Sequence, residues 1–264
     1  MKTKFYITGD THGDLTRFDE LEKSLNHNII NNLIILGDSG FLYHDYFSRQ
    51  AIYMRERAKG FNFNFYIVRG NHEDRPENIP ALAKLYDTQI LGEIYVDEAY
   101  PSIRYLLDGE TYNFGGQLCL TLGGAYSVDK QYRLMRGWKW FPEEQLTNEE
   151  MTQIYQNCKD KQFDFILSHT CPYSWRPTHM FLSMIDQETV DTSMEEFFEK
   201  YKNEFHFDMW LWGHYHENCV CDKKGVMLYD AIYDLAMCKT INEYTEYDGD
   251  YMTFSPQYSR KEDI

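Results

Sequence analysis

The chain has no apolar run approaching the ~20 residues that a bilayer-spanning helix requires, so an integral membrane protein is not expected. Export is not expected either. Met1-Lys2-Thr3-Lys4 leads into only four residues, Phe5-Tyr6-Ile7-Thr8, before Gly9-Asp10, too short an apolar segment for a signal peptide. Cysteine is sparse, six in 264 residues, which excludes a disulfide framework and points to a reducing cytoplasm. Positive charge is short, 26 Lys and Arg against 42 Asp and Glu, and the net of −16 repels nucleic-acid backbones and anionic lipid. Neither long nucleic acid nor a membrane is therefore an expected partner, and a small anion would need a concentrated local cation. Repeats, Pro- or Ser-rich linkers and composition breaks are missing, so one domain over 1–264 is expected, with a polar tail from about Asp248. What is present is a globular composition, 43% hydrophobic, 26% charged and 17% aromatic, which excludes a disordered chain.

Hydrophobic patterning predicts strands at 5–8, 33–36, 63–68, 163–167 and 207–212, and helices at about 14–26, 44–59, 143–159 and 189–202. Between 94 and 123, short apolar runs alternate with Asp108-Gly109 and Gly115-Gly116, as in antiparallel hairpins, and further strands are expected near 226–233 and 238–244. Early βαβ units followed by hairpins indicate an α/β domain with mixed sheets. Cys219-Val220-Cys221 has no second cysteine pair to complete a zinc site and reads as a strand with two same-facing thiols.

Five polar motifs each follow an apolar strand-like run: Gly9-Asp10-Thr11-His12-Gly13, Gly37-Asp38, Arg69-Gly70-Asn71-His72-Glu73, Ser168-His169 and Gly213-His214-Tyr215-His216. In an open α/β sheet ligands bind outside the carboxyl ends of the strands, so these tips can converge on one place. Asp10, His12, Asp38, Asn71, His169, His214 and His216 form an oxygen and imidazole set without thiolate. Seven such groups exceed a single tetrahedral zinc site and suit two divalent ions, with Asp38 as the economical bridge. Two such ions, two aspartates and a bridging hydroxide leave about +1 at the centre, enough to draw a phosphate into an acidic protein.

In this order, over residues 9–216, these motifs resemble the calcineurin-like metallophosphoesterases, nearest to bacterial and phage protein-phosphatase-like members. The resemblance implies a four-layer α-β-β-α sandwich of two mixed β-sheets around a two-metal centre. One ion would take Asp10, His12, Asp38 and His216, and the other Asp38, Asn71, His169 and His214. His72 would stay off the metals and face the substrate as catalytic proton donor, while a metal-bridging hydroxide attacks phosphorus. Mn2+ is the first expectation for both ions, with Fe, Zn2+ or Co2+ compatible. There is a departure: where the protein-phosphatase branch reads Gly-Asp-x-x-Asp-Arg-Gly, this chain has Phe41 and Leu42, losing the acid that would orient His72 and a phosphate-binding arginine. Arg133 and Arg136, or Arg176, are the substitutes considered for phosphate binding.

The favoured activity is phosphomonoester hydrolysis, on a phosphorylated small molecule or a phosphoprotein. A phosphodiesterase acting on a nucleotide is the alternative. A non-catalytic scaffold would be expected to lack ligands or His72, and all eight residues are present. His27, His44, His179 and His206 read as ordinary polar residues, Trp138, Trp140 and Trp175 as packing residues, and the acidic run from Glu143 to Glu150 as a solvated face.

Overall fold

The computed structural model describes residues 2–240, 244–245 and 251–254. The first sheet is assembled from β1 (Thr3–Thr8), β2 (Ile30–Leu36), β3 (Phe63–Val68), β4 (Ala83–Asp87), β5 (Gly92–Val96) and β6 (Ile103–Leu106). The second takes β7 (Thr111–Phe114), β8 (Gln117–Leu122), β9 (Gln162–Ser168), β10 (His206–Trp212), β11 (Cys219–Cys221) and β12 (Gly225–Met227). The chain then returns to the first sheet with β13 (Tyr233–Asp234) and β14 (Lys239–Thr240), and to the second with β15 (Tyr244–Thr245) and β16 (Tyr251–Phe254). Among the described residues each sheet has eight strands, ordered β14-β13-β1-β2-β3-β6-β5-β4 and β15-β16-β11-β12-β10-β9-β8-β7. Strands β1, β2, β3 and β6 run parallel, as do β8, β9, β10 and β12, and antiparallel strands flank both sets.

Alternation along the strands builds the layers. Phe5, Ile7, Ile34, Leu36, Tyr66 and Val68 point inward and meet Cys119, Phe165, Leu167 and Leu211 of the opposite sheet. Tyr6, Leu33, Ile35, Phe65 and Ile67 point outward, where they pack against α1 (Phe18–Ser24) through Phe18 and Leu21 and against α2 (Arg49–Ala58) through Ala58. On the far side Leu120, Leu122, Ile166, Trp210 and Trp212 pack against α4 (Asn148–Cys158) and α5 (Ser193–Glu204) through Met151, Ile154, Met194, Phe198 and Tyr201. Each such burial stabilises by roughly 1.5–3 kcal/mol. The result is the expected α-β-β-α sandwich. The short helix α3 (Lys130–Arg136) stands apart, after β8.

The helices are shorter than their patterning predicts, for local reasons. Asp14 Oδ1 accepts the Thr16 amide in a turn that delays α1 to Phe18. Ser48 caps α2 by accepting the Ala51 amide, and Thr147 and Glu150 form a capping box that starts α4 at Asn148. The run expected as one strand at 226–233 is two strands in different sheets, because residues between Met227 and Tyr233 cross the sandwich. Strand β4 and helix α3 lie outside every predicted element, and β5 overlaps only the start of the hairpin region expected from 94. Cys219 and Cys221 do form a strand with both thiols buried, 3.7 Å apart. Residues 241–243, within the strand expected at 238–244, lie outside the described residues, as does most of the expected tail; within that tail Tyr251–Phe254 pairs with β11. Among the described residues no helix is long and apolar enough to cross a membrane.

Candidate metal centre

The five motifs leave the carboxyl ends of β1, β2, β3, β9 and β10, parallel strands at the middle of the two sheets. Register levels these ends: Leu36 pairs with Val68, and Ser168 pairs with both Leu122 and Trp212. His169 and Gly213 therefore start side by side, and the loop after β8, beginning at Gly123, joins them.

The backbone at the centre is bent out of ordinary conformations. His12, Asp38, His214 and His216 have φ of 45°, 46°, 70° and 56°, the left-handed region that non-glycine residues avoid. Such strain is held only where the surroundings over-determine it, and here four of the seven expected ligands carry it. Glycine permits the close packing. A Cβ on Gly70 would lie 2.0 Å from Asp38 Oδ1, and one on Gly213 would lie 2.3 Å from Asp10 Oδ1.

The side chains converge in overlapping groups: Asp10, His12 and His216; His12, Asp38 and His72; Asp10, Asp38 and His169. The Nε2 atoms of His12 and His216 are 2.8 Å apart, a separation that calls for a shared proton or cation. Asp10 Oδ2 lies 3.2 Å from His216 Nε2 and 3.7 Å from His12 Nε2, buried and without a hydrogen-bond partner. Asp10 Oδ1 accepts the His214 amide at 2.8 Å. Asp38 faces both ways, with Oδ1 3.7 Å from His169 Nε2 and Oδ2 3.9 Å from His12 Nδ1. His169 Nε2 is 2.8 Å from Asn71 Oδ1, and its Nδ1 is 2.7 Å from the Leu36 carbonyl, which orients the ring. His214 packs its ring against His169, centroids 5.0 Å apart. A buried carboxylate oxygen left unpaired beside converging imidazole nitrogens fits a divalent cation.

Electrostatics favour the same states. Burial works to raise the Asp10 carboxyl, but His169, His216 and His12 outweigh it and hold it below the usual carboxylate range. Burial lowers His12 and, with help from His169, His214, keeping both imidazoles neutral.

His72 stands beside this cluster, bounded by Asp38, Asp129 and Arg133. Its amide donates to Asp38 Oδ1 (2.8 Å), and its Nδ1 lies 3.2 Å from Asp38 Oδ2 and 3.2 Å from Arg133 Nη2. Its Nε2 faces Asp129 Oδ1 at 3.7 Å, and Arg133 Nε donates to Asp129 Oδ2 at 2.7 Å. Burial pushes the His72 pKa down, while Asp129 and Asp38 more than compensate and raise it. Asp129 is held at about 2: burial opposes, and His72 and Arg133 prevail.

All seven expected ligands and His72 are thus brought together. Of the arginines, Arg133 reaches the centre, buried against His72 and Asp129. Arg136 does not: it is exposed in the last turn of α3, donating to Tyr132. Phe41 and Leu42 face away, buried in the outer core of the first sheet. Sequence reasoning missed Asp129, Ser127, Glu144 and His44. Ser127 accepts from Asn71 Nδ2 at 2.7 Å and bonds Glu144, which steadies the amide from behind. Glu73 accepts the Gly40 and Gly70 amides and the Ser39 hydroxyl, tying two ligand loops together. His44 lines a cavity beside His12 and His72. The signal that could have found Asp129 is its place four residues before Arg133, an opposite-charge i, i+4 pair.

Carboxylates and imidazoles converging at strand ends, with His72 alongside, form a cluster able to hold divalent metal. The family model described as calcineurin-like phosphoesterase matches residues 3–218, and the chain belongs to that family. No match to a curated protein was found.

Proposed function

We propose that this chain is a phosphomonoesterase. The observation that carries the reading is the inequality of two cavities that share Asp38 and His72. One, about 200 Å3, sets His12, His44, His72 and Arg133 beside Tyr43, Met54 and Trp138, and its imidazoles and guanidinium suit the oxygens of a phosphoryl dianion. The other, about 390 Å3, is walled largely by apolar side chains and suits one organic group. One organic group and one oxygen-rich group make a monoester.

Asp10, His12, Asp38 and His216 would hold one divalent ion, and Asp38, Asn71, His169 and His214 the other. When bound, such ions supply Lewis-acid stabilisation of the phosphoryl oxygens and an activated water. His72 does the proton work. His72 Nδ1 lies between a donor, the Arg133 guanidinium, and an acceptor, Asp38 Oδ2, both at 3.2 Å. Its Nε2 faces Asp129, and a proton carried there is the one proposed to reach the leaving oxygen. Asp129 and Arg133 restore to His72 the acid and the arginine missing at Phe41 and Leu42, which makes Arg133 a positioning residue before a phosphate clamp. Mn2+ is the metal proposed, the cytoplasm the location, and a phosphorylated small molecule or phosphoprotein the substrate.

The test is kcat/KM for p-nitrophenyl phosphate and bis-p-nitrophenyl phosphate, on protein stripped with chelator and reloaded with Mn2+. A monoester preference is expected, and a diester preference refutes the proposal. His72→Ala should retain metal and lose about 10²–10⁴-fold in rate on unactivated esters. The diester reading has one observation in its favour: the smaller cavity also carries Tyr43, Met54 and Trp138, surfaces able to meet a second ester group.

A further inference from the structure

We infer that the larger cavity selects the substrate, a small phosphate monoester whose alcohol carries a compact apolar group, aryl or branched alkyl, rather than a phosphorylated protein side chain. The inference rests on the phosphomonoesterase reading and goes on to name the substrate class. The cavity is continuous with the centre, since Asn71, His72, His214 and His216 form its floor-side lining. Apolar surface predominates over the rest of the wall, from Met180, Phe181, Leu182, Ile185 and Val190 of the segment before α5, with Asp129, Arg176, Gln187, Thr192 and Glu195 as polar groups among them. At about 390 Å3 it holds roughly a dozen water-sized groups, the bulk of a substituted ring and not of a polypeptide.

This wall is built in advance of any ligand. Phe181 stacks on Tyr215, centroids 6.2 Å apart at 20°, and Tyr215 lies between His214 and His216 in the chain. Arg176 covers Tyr173 at 3.6 Å and reaches over Phe181 at 5.8 Å. Tyr215 in turn meets Thr170, the neighbour of His169, through its hydroxyl at 3.4 Å. The apolar wall is therefore anchored to the same loops that carry the expected ligands. A phosphoserine on a protein would bring peptide groups against the apolar part of this wall, where their donors and acceptors find no partners. An apolar ring brings none.

The experiment compares benzyl phosphate with methyl phosphate, whose leaving alcohols are of similar acidity, on the Mn2+-loaded full chain. The wild type is expected to favour benzyl phosphate by about 10- to 100-fold in kcat/KM. Ile185→Trp, which fills the cavity from a half-buried position, should remove that preference by lowering kcat/KM for benzyl phosphate at least about tenfold more than for methyl phosphate. Val190→Trp serves as the second variant if Ile185→Trp does not melt like the wild type. A readout without turnover comes from titrating benzylphosphonate and methylphosphonate, where the same order of affinity is expected. Equal kcat/KM for the two esters, or preference for a phosphoserine peptide over benzyl phosphate, overturns the inference while the phosphatase stands. Turnover of diesters alone refutes the phosphatase, and the phosphonate titration then still decides the cavity.

Discussion

Glu195, in the first turn of α5, is almost fully buried, yet among the described residues it has no cationic partner within ion-pairing reach. Its Oε1 accepts the Thr170 hydroxyl at 2.7 Å, and its Oε2 has no partner. Burial raises its pKa from 4.5 to about 7, with the Thr170 bond opposing. Because the folded pKa lies above the unfolded one, the folded state holds the proton more tightly, and stability falls as pH rises from 4.5 toward 7. Above pH 7 the full cost is about 3 kcal/mol, and at pH 5 most of it is absent, leaving a difference of ~2.5 kcal/mol between pH 5 and pH 8. Glu195→Gln cannot ionise. Urea unfolding of both proteins in chelator, at pH 5 and pH 8, should show the variant gaining about 2.5 kcal/mol on the wild type at the higher pH, or about 5–10 °C in Tm. A stability difference that stays constant across this range would refute the assignment of Glu195 as a buried, proton-bearing carboxyl.

Other outcomes follow from the centre. Asp129→Asn should lower kcat on benzyl phosphate by about 10–100-fold and barely change p-nitrophenyl phosphate, whose leaving group needs no proton; equal losses on both would deny Asp129 a role through His72. Asp38→Ala and Gly70→Ala should both lose metal, the second because its Cβ would sit 2.0 Å from Asp38 Oδ1, and two metals per chain by elemental analysis in either variant would count against the shared position of Asp38. Arg136→Ala should leave KM unchanged, since Arg136 bonds only to Tyr132 at the surface, whereas a raised KM would return it to the substrate site.

Much of the centre was legible in the sequence because its chemistry sits where the strand pattern ends. A run such as Leu33 to Leu36 followed by Gly37-Asp38 states both the buried strand and its polar tip in six adjacent residues. The support of the site was not legible in this way. Asn71 is steadied by Ser127 and Glu144, and His72 by Asp129 and Arg133, across tens of residues and between the two sheets. Arg69 shows the same limit. As a basic residue beside the Asn71 motif it invites a role with phosphate, yet it is buried and bonds Asp108 and the carbonyls of Gly123 and Glu144. Strand β4 was not legible because it is mostly exposed and shows no clean alternation of apolar and polar residues.

The division of ligands between the sheets has a mechanical consequence. Asp10, His12, Asp38 and Asn71 belong to loops of the first sheet, and His169, His214 and His216 to loops of the second. Any ion held by both sets is a rivet through the open rim of the sandwich, linking positions more than 150 residues apart such as Asp10 and His216. A cross-link spanning so long a stretch restrains the unfolded chain strongly, as a disulfide would, but it is reversible and answers to the supply of metal. Stripping the ions should therefore loosen the two halves together, with amide exchange at the carboxyl ends of β1, β2, β9 and β10 rising in concert.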